Sequence, residues 1–510
     1  MPNTLGQAKH ASVVHMLADA ADKAPNSEAL VCGEDRLNYA QYLSAVSRFA
    51  HTLINDGLNG TRIAMLMRNS VDFCIAMFAV QLAGAQVVPL NPRYTKSELR
   101  NLLSDADVSA LIHDEDNLAR DKALAEELNI PVRISIGKDF RLTNLSGENG
   151  PLTYPAPTDY AELLFTGGTT GPSKGANIDH QKLITNLAQR EALVPTRLDC
   201  ERMLCVMPLY HCYAINMCLH NMVSCRGTLI IVEPFDPDIV LNTFAAEKIT
   251  VFGGSPTLFN SLCAKASFDR ADFSSLAITY SGASALSESM LNRWESATNS
   301  IVIEGYGQTE ASPVISFNPV DGPRKLGSVG VAVPNTEIEI VEVKDGNKVL
   351  PANTCGEIRI RGPQIMNGYR NRPTETAQAI REGWLYTGDI GELDEDGYLY
   401  IRGRKKEMMI VSGFNVYPAE VEAVLATHPA VVECAVVGRR DDRRGEVPVA
   451  YVVTAGGQPA SESNLKAHCE ENLARYKIPA AFELLDSLPK TTVGKIDKLA
   501  LNELANPDNE

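Results

Sequence analysis

The sequence predicts an α/β protein, with a large N-terminal domain of layered, mostly parallel sheets and helices and a small α+β C-terminal domain. Three observations carry this. Strand-like and helix-like segments alternate through most of the chain. At 510 residues it is long enough for two or three domains. Near residue 359 the texture changes, and short strands with turn signals replace the longer rhythm.

Taken in order, residues 62–67 read as a strand, 71–82 as a helix and 86–90 as a strand. Apolar runs at 203–207, 228–232, 250–253, 277–280 and 301–304 read as short buried strands between amphipathic helices, the rhythm of parallel layering. Beyond 359, residues 356–361, 384–386 and 397–402 read as strands, with a turn at Asp394-Glu395-Asp396-Gly397. A charged stretch, Arg402-Gly403-Arg404-Lys405-Lys406-Glu407, marks the boundary. After it, 418–426 reads as a helix, 431–437 and 448–453 as strands and 461–475 as a helix, a small α+β domain.

Hydrophobic residues make up 45% and charged residues 22%, as in ordinary globular proteins. The net charge of −16 argues against broad nucleic-acid binding. It leaves local anion pockets open. Eleven cysteines include no Cys-x-x-Cys pair. The five from Cys200 to Cys225, with His211 and His220 among them, are spaced more widely than zinc ligands usually are. Buried thiols in a reducing cytoplasm are the expectation. No signal peptide, no membrane-length apolar run and no peroxisomal tripeptide are read.

The most informative segment is Leu164-Phe165-Thr166-Gly167-Gly168-Thr169-Thr170-Gly171-Pro172-Ser173-Lys174-Gly175. Glycines let backbone N–H groups approach anionic oxygens, and successive N–H groups form an anion nest. With several hydroxyls and one cation, the loop suits a polyphosphate. It is not a Walker A loop, because Lys174 lies between Ser173 and Gly175.

A carboxylate condenses with a thiol only after its oxygen becomes a good leaving group. A mixed anhydride with AMP achieves this. The step needs a phosphate grip, a metal, a cation at the reacting oxygens and a nucleoside pocket. In Glu304-Gly305-Tyr306-Gly307-Gln308-Thr309-Glu310, Tyr306 offers a ring to a base and Thr309 a hydroxyl to a phosphate. Glu310 is a hard oxygen ligand for Mg²⁺. Asp389, with Arg404 beyond it, suits ribose hydroxyls. Lys495, after Gly494 in Pro489-Lys490-Thr491-Thr492-Val493-Gly494-Lys495-Ile496, taken by itself reads as a surface lysine on a short loop that could carry it into a site on another domain.

These segments, in this order, resemble the adenylate-forming enzymes, the acyl- and aryl-CoA ligases. Met207-Pro208-Leu209-Tyr210-His211, Ser281-Gly282-Ala283-Ser284 and the run from Lys405 to Pro418 extend the likeness. That last run and Asn367-Gly368-Tyr369 look most like bacterial medium- and long-chain fatty acid–CoA ligases.

The resemblance implies an ATP-, CoA- and Mg²⁺-dependent ligase in the cytoplasm. It implies an N-terminal domain at 1–403, a hinge at 404–406 centred on Lys406, and a mobile lid domain at 407–510 that carries the adenylation lysine. ATP phosphates would meet Thr166, Gly167, Gly168, Thr169, Thr170, Gly171 and Lys174. Adenosine would meet Gly282, Ala283, Ser284, Glu304, Gly305, Tyr306, Gly307, Asp389 and Arg404. Lys495, Thr309, Glu310 and His211 would be catalytic, with Glu310 and Thr166 at the metal. CoA would meet Ser412, Gly413, Phe414, Glu446 and Lys477. His211, Tyr213, Ile215, Gly253, Gln308 and Val314 would line the acyl pocket.

The mostly small or apolar candidate pocket segments point to an apolar monocarboxylate of medium to long chain. Val411 stands where many aryl-CoA ligases carry lysine. No tryptophan falls in residues 211–215, where some long-chain enzymes have a gating one. An aryl-CoA ligase, a stand-alone adenylation enzyme loading a carrier protein and a non-catalytic nucleotide-binding protein stay open as alternatives. So do peripheral membrane contact and a monomeric or homodimeric state.

Overall fold

The computed structural model describes residues 10–147, 149, 150, 153–166, 173–412, 414–441, 443–454, 461–491 and 495–507. The expected phosphate contacts Gly167, Gly168, Thr169, Thr170 and Gly171, and the CoA candidate Gly413, lie outside them. The chain divides into two compact units. One comprises residues 1–337 and 361–385, the other 338–360 and 386–510.

The first unit holds two sheets. A six-stranded sheet runs Val132–Ile136, Ala110–Asp114, Arg62–Leu66, Gln86–Pro89, Tyr160–Thr166, Lys174–Asp179. It is parallel except for the final pair, an antiparallel hairpin. A nine-stranded sheet has Val331–Ala332 and Val314–Phe317 at one edge and Asp35–Asn38 at the other. The strands from Ile301–Gly307 to Glu28–Cys32 pair in parallel. The helix Val71–Leu82 is buried along its whole length and touches a strand of each sheet. Ser70 caps its N-terminus, accepting the Phe73 N–H. A helix apolar on every side is stable only between layers, which explains why this segment matches its predicted bounds. Under the nine-stranded sheet, Phe244, Phe252, Phe259, Phe268 and Phe273 gather round Trp294.

In the second unit, residues 399–404 pair antiparallel with residues 389–393. A further sheet runs Phe414–Val416, Met409–Val411, Gly445–Thr454, Val431–Asp441, with Ala481–Leu484 also on Gly445–Thr454. Its two faces are covered differently. Val436, Ala450 and Val452 pack with Met409, Val411 and Leu425, joined by Tyr476. Ala435, Val437, Val449 and Tyr451 pack with Leu501, joined by Ile496. Strands expected at 431–437 and 448–453 are longer, because they form one antiparallel hairpin down to its turn.

Candidate active site

The hairpin expected to meet phosphate is built from register. Thr166 and Lys174 are opposed residues of the antiparallel strands, and the Thr166 hydroxyl donates to the Lys174 carbonyl at 3.3 Å. The Lys174 ammonium lies 5.1 Å from the centre of the Tyr369 ring, a cation–π contact. The Tyr369 hydroxyl donates to Glu310 Oε1 at 2.7 Å. Met366 N–H donates to the Glu310 carbonyl at 2.9 Å. Burial, then the Glu310 charge and its hydrogen bond, hold the Tyr369 phenol protonated. One tyrosine thus joins the lysine and the carboxylate of two motifs far apart in sequence. Sequence reasoning gave Tyr369 no role. Its only signal there was the Asn-Gly-Tyr triplet.

Thr309 and Glu310 sit on a single helical turn, Thr309–Ala311, after the strand Ile301–Gly307. The chain doubles back at once: Gly307 pairs with Val314, and the Gln308 N–H donates to the Pro313 carbonyl at 2.9 Å. A Cβ at Gly307 would meet that carbonyl oxygen at 2.2 Å, so only glycine permits the turn. Gln308 and Val314 therefore flank Thr309. The Glu304 carboxyl, expected at adenosine, is buried and accepts the Leu286 N–H at 3.3 Å. Burial pushes it up to about 7. It steadies the loop containing Gly282, Ala283 and Ser284, where Ala283 adopts a φ of 72°, a strained value for a side-chain-bearing residue.

His211 starts the next wall. Its Nδ1 accepts the Tyr213 N–H at 3.3 Å, which leaves the proton on Nε2 in the neutral ring. The Cys212 thiol lies 3.3 Å from the Thr309 hydroxyl, so this segment touches the Thr309–Glu310 turn directly. Beyond it the helix takes π geometry from Ile215 to His220, and Ile215 is buried there. The Tyr213 ring fills space left by two glycines. A Cβ at Gly253 would meet its hydroxyl at 3.2 Å, and one at Gly282 its ring at 3.1 Å. Gly253 is register partner of Tyr280, so the slot that the Tyr213 ring occupies is floored by two neighbouring strands. The buried Arg190 stands behind Tyr280, donating to its hydroxyl at 2.5 Å and to Asn221 Oδ1 at 2.7 Å.

The other expected residues lie in the second unit. Asp389 is opposite Arg404 in register, and Arg404 Nε is 2.8 Å from Asp389 Oδ1. Lys406 is the middle residue of the turn Lys405–Glu407. Lys495 belongs to a small hairpin. The Thr491 N–H donates to its carbonyl at 2.6 Å, and its own N–H donates to the Thr491 hydroxyl at 3.2 Å. Among the CoA candidates, Ser412 N–H donates to the Arg444 carbonyl at 2.7 Å. Phe414 stacks on Tyr476 with ring centres 4.6 Å apart. Glu446 accepts the Ile410 N–H at 2.7 Å, and Lys477 pairs with Glu420.

Lys495 and this second group lie far apart on the same sheet. Side chains alternate between faces along a strand. Lys490 pairs with Glu433, which shares a face with Ala435, Val437 and Ile496. Glu446 shares the opposite face with Ala450 and Val452. Glu446 is opposite Arg440 in register. From Glu433 to Arg440, at about 3.4 Å per residue, is roughly 24 Å of strand.

Among the described residues, no helix is long and apolar enough to cross a membrane. All eleven cysteines are free; burial holds the thiols of Cys74 and Cys225 protonated, and a hydrogen bond with Cys205, then burial, does the same for Cys218.

Two family models match: AMP-binding enzyme over residues 17–370 and AMP-binding enzyme C-terminal domain over residues 420–495. A long-chain-fatty-acid–CoA ligase of Bacillus subtilis is 34% identical, with 96% of this chain and 93% of the relative aligned. A feruloyl-CoA synthase from Amycolatopsis is 35% identical over 94% of this chain and 96% of its own. The ATP-bound crystal structure of MatB from Rhodopseudomonas palustris superposes with a TM-score of 0.89 at 30% identity, covering 96% of this chain and 98% of that one. The chain belongs to the AMP-binding enzyme family.

Proposed function

We propose that this chain is an AMP-forming acid–CoA ligase acting on apolar monocarboxylic acids of medium to long chain. The observation that supports it most is the link Lys174–Tyr369–Glu310, which sets the phosphate hairpin beside a carboxylate and the Thr309 hydroxyl. Glu310 and Thr166 offer hard oxygen donors that fit Mg²⁺. When bound there, the ion would neutralise charge on the β- and γ-phosphates. Lys174 and the loop before it grip those phosphates, and the acid's carboxylate attacks the α-phosphorus with loss of pyrophosphate. Lys495 meets the negative charge that develops on the reacting oxygens. In the second step the CoA thiol attacks the acyl carbonyl, and AMP leaves.

The separation of Lys495 from Phe414 and Glu446 supports a two-pose reading. One pose of the C-terminal sheet cannot bring both ends and both faces to one substrate. We place the joint at 404–406, around Lys406, with residues 407–510 as the lid. Asp389 and Arg404 take the ribose.

The substrate reading rests on the slot floored by Gly253 and Gly282. Arg190 is engaged by Asn221 and Tyr280, so a second carboxylate on the substrate would be buried without a dedicated partner, at a cost of several kcal/mol. The named activity of the Bacillus subtilis relative supports a fatty acid. The Tyr213 ring, which shortens the slot, favours a second reading, a compact aryl acid, in keeping with the named activity of the Amycolatopsis relative. CoA-dependent AMP release measured from acetate to palmitate, with benzoate and cinnamate alongside, separates the two. A rise along the alkyl series supports the first. A flat alkyl series with an aryl acid clearly best overturns it. The free, protonated thiols fit a reducing compartment such as the cytoplasm.

A further inference from the structure

We propose that Lys498 is a positioning residue for Lys495, latching the adenylation lysine to the segment just beyond the hinge. This rests on the reading of Lys495 as the charge that serves adenylation. Lys498 opens the helix Lys498–Ala505, three residues after Lys495. Its ammonium lies 2.8 Å from Glu422 Oε1 and 3.3 Å from Glu407 Oε2. Burial would lower its pKa, but Glu422 and Glu407 outweigh burial and hold it raised. Glu422 is itself fixed, accepting the Val436 N–H of the strand Val431–Asp441 at 2.7 Å. On the other side of the lysine hairpin, Lys490 pairs with Glu433 of the same strand. The loop bearing Lys495 is thus pinned at both ends by ion pairs.

Glu407 gives the latch its direction. It follows Lys406 immediately. On the other side of Lys406, Lys405 lies 2.7 Å from the buried Glu357 Oε2. The two neighbours of the proposed joint therefore hold different elements: Lys405 the strand Gly356–Arg361, Glu407 the helix that follows Lys495. A backbone rotation at residue 406 carries Glu407, and through Lys498 the lysine loop, as one body. Without Lys498, Glu407 and Glu422 face one another as partly buried like charges, and the loop loses one of its two ion-pair ties.

The experiment uses the full chain and assays each half-reaction alone: pyrophosphate release from acid and ATP without CoA, and thioester formation from synthetic acyl-adenylate and CoA. A mispositioned catalytic group loses rate steeply with small displacements, so Lys498→Met should slow adenylation roughly tenfold to a hundredfold. The KM for ATP should stay within about twofold, since ground-state binding is untouched. Thioester formation should match the unsubstituted enzyme, and Lys498→Arg should restore most of the adenylation rate. Glu407→Gln, which leaves the Glu422 pair intact, should give a smaller loss confined to the same half-reaction. Equal losses in both halves, or unchanged adenylation in Lys498→Met while Lys495→Ala abolishes it, would overturn the latch. Normal adenylation in Lys495→Ala would instead overturn the reading on which the latch rests.

Discussion

Lys174 and Lys495 both stand next to a glycine in a loop, yet the structure holds them by different means. Lys174 begins a β-strand, and its position follows from ladder register with Thr166 and from the Tyr369 ring. Lys495 rides a short hairpin that is closed by its own backbone bond to Thr491, packed through Ile496, and tied to neighbouring elements by the side-chain ion pairs of Lys490 and Lys498. The first arrangement suits a charge that keeps one place relative to the triphosphate. The second suits a charge needed in one half-reaction and carried by an element with other work in the next.

The sharpest way to break this comparison is Lys495→Ala. Acyl-AMP formation should fall about 10²- to 10³-fold, the cost of removing a preorganised charge from a transition state. Conversion of pre-made acyl-AMP to thioester should be unaffected, and a single-turnover assay of both halves reads the difference. On the fixed side, Glu310→Gln weakens a hard-cation ligand, so the Mg²⁺ needed for half-maximal rate should rise while the requirement for acid stays put. Tyr369→Phe keeps the ring under Lys174 and removes only the hydrogen bond to Glu310. A bond to a charged group contributes about 1.5–3 kcal/mol, so a loss of roughly tenfold to a hundredfold in kcat/KM for ATP is expected. A loss as large as that of Glu310→Gln would mean the tyrosine does more than orient the carboxylate.

The strand that carries Thr166 also carries Glu162, whose fully buried carboxyl is pushed up to about 8. Beside it His220, with Nε2 3.9 Å from Glu162 Oε1, is driven down by burial to about 3. A carboxyl with a raised pKa contributes stability below its unfolded value, and that stability is lost as pH rises through the folded value. A histidine with a lowered pKa loses stability as pH falls below its unfolded value. The two oppose each other between the unfolded values, and above pH 6.5 the Glu162 effect stands alone. Unfolding free energies from denaturant titrations at pH 6.5 and pH 8 should therefore show a drop on the order of 1 kcal/mol larger in the unsubstituted protein than in Glu162→Gln. Equal drops would show that Glu162 is already ionised in the fold.

The smallest expected effect is in the slot. Tyr213→Ala removes the ring from above Gly253 and Gly282. It should extend the acyl series, with kcat/KM rising up to roughly fourfold for each added carbon, since a buried methylene is worth about 0.8 kcal/mol. An unchanged optimum would place the acyl chain elsewhere.

Much of the proposed site was read from the sequence before the fold. Thr166, Lys174, Thr309, Glu310 and Lys495 announce themselves because phosphate and carboxylate chemistry asks for those residue types among glycines. Tyr369, Lys498 and Glu162 do not. Their significance lies in one hydroxyl on Glu310, two carboxylates around one ammonium, and complete burial, and none of these leaves a local pattern. The fold divides in the same way. The helix Val71–Leu82 is unmistakable because every position is apolar or enclosed and a serine caps it. The strands Glu28–Cys32 and Asp35–Asn38 were not expected, because one of the two partners that make Glu28–Cys32 an inner strand lies far along the chain.

That partner has a temporal consequence. The Thr228 hydroxyl donates to the Glu28 carbonyl across 200 residues of sequence, and the strand Thr228–Ile231 pairs with Glu28–Cys32. At roughly 5–20 residues per second, a ribosome takes about 10–40 s to synthesise the intervening chain. Through that interval the nascent hairpin of residues 28–38 presents an open edge, the kind of surface to which a chaperone or another unfinished chain adds a strand. The nine-stranded sheet is thus a structure whose first strand waits longest for its second neighbour, and the rate of elongation, as much as the sequence itself, sets how long that edge stays exposed.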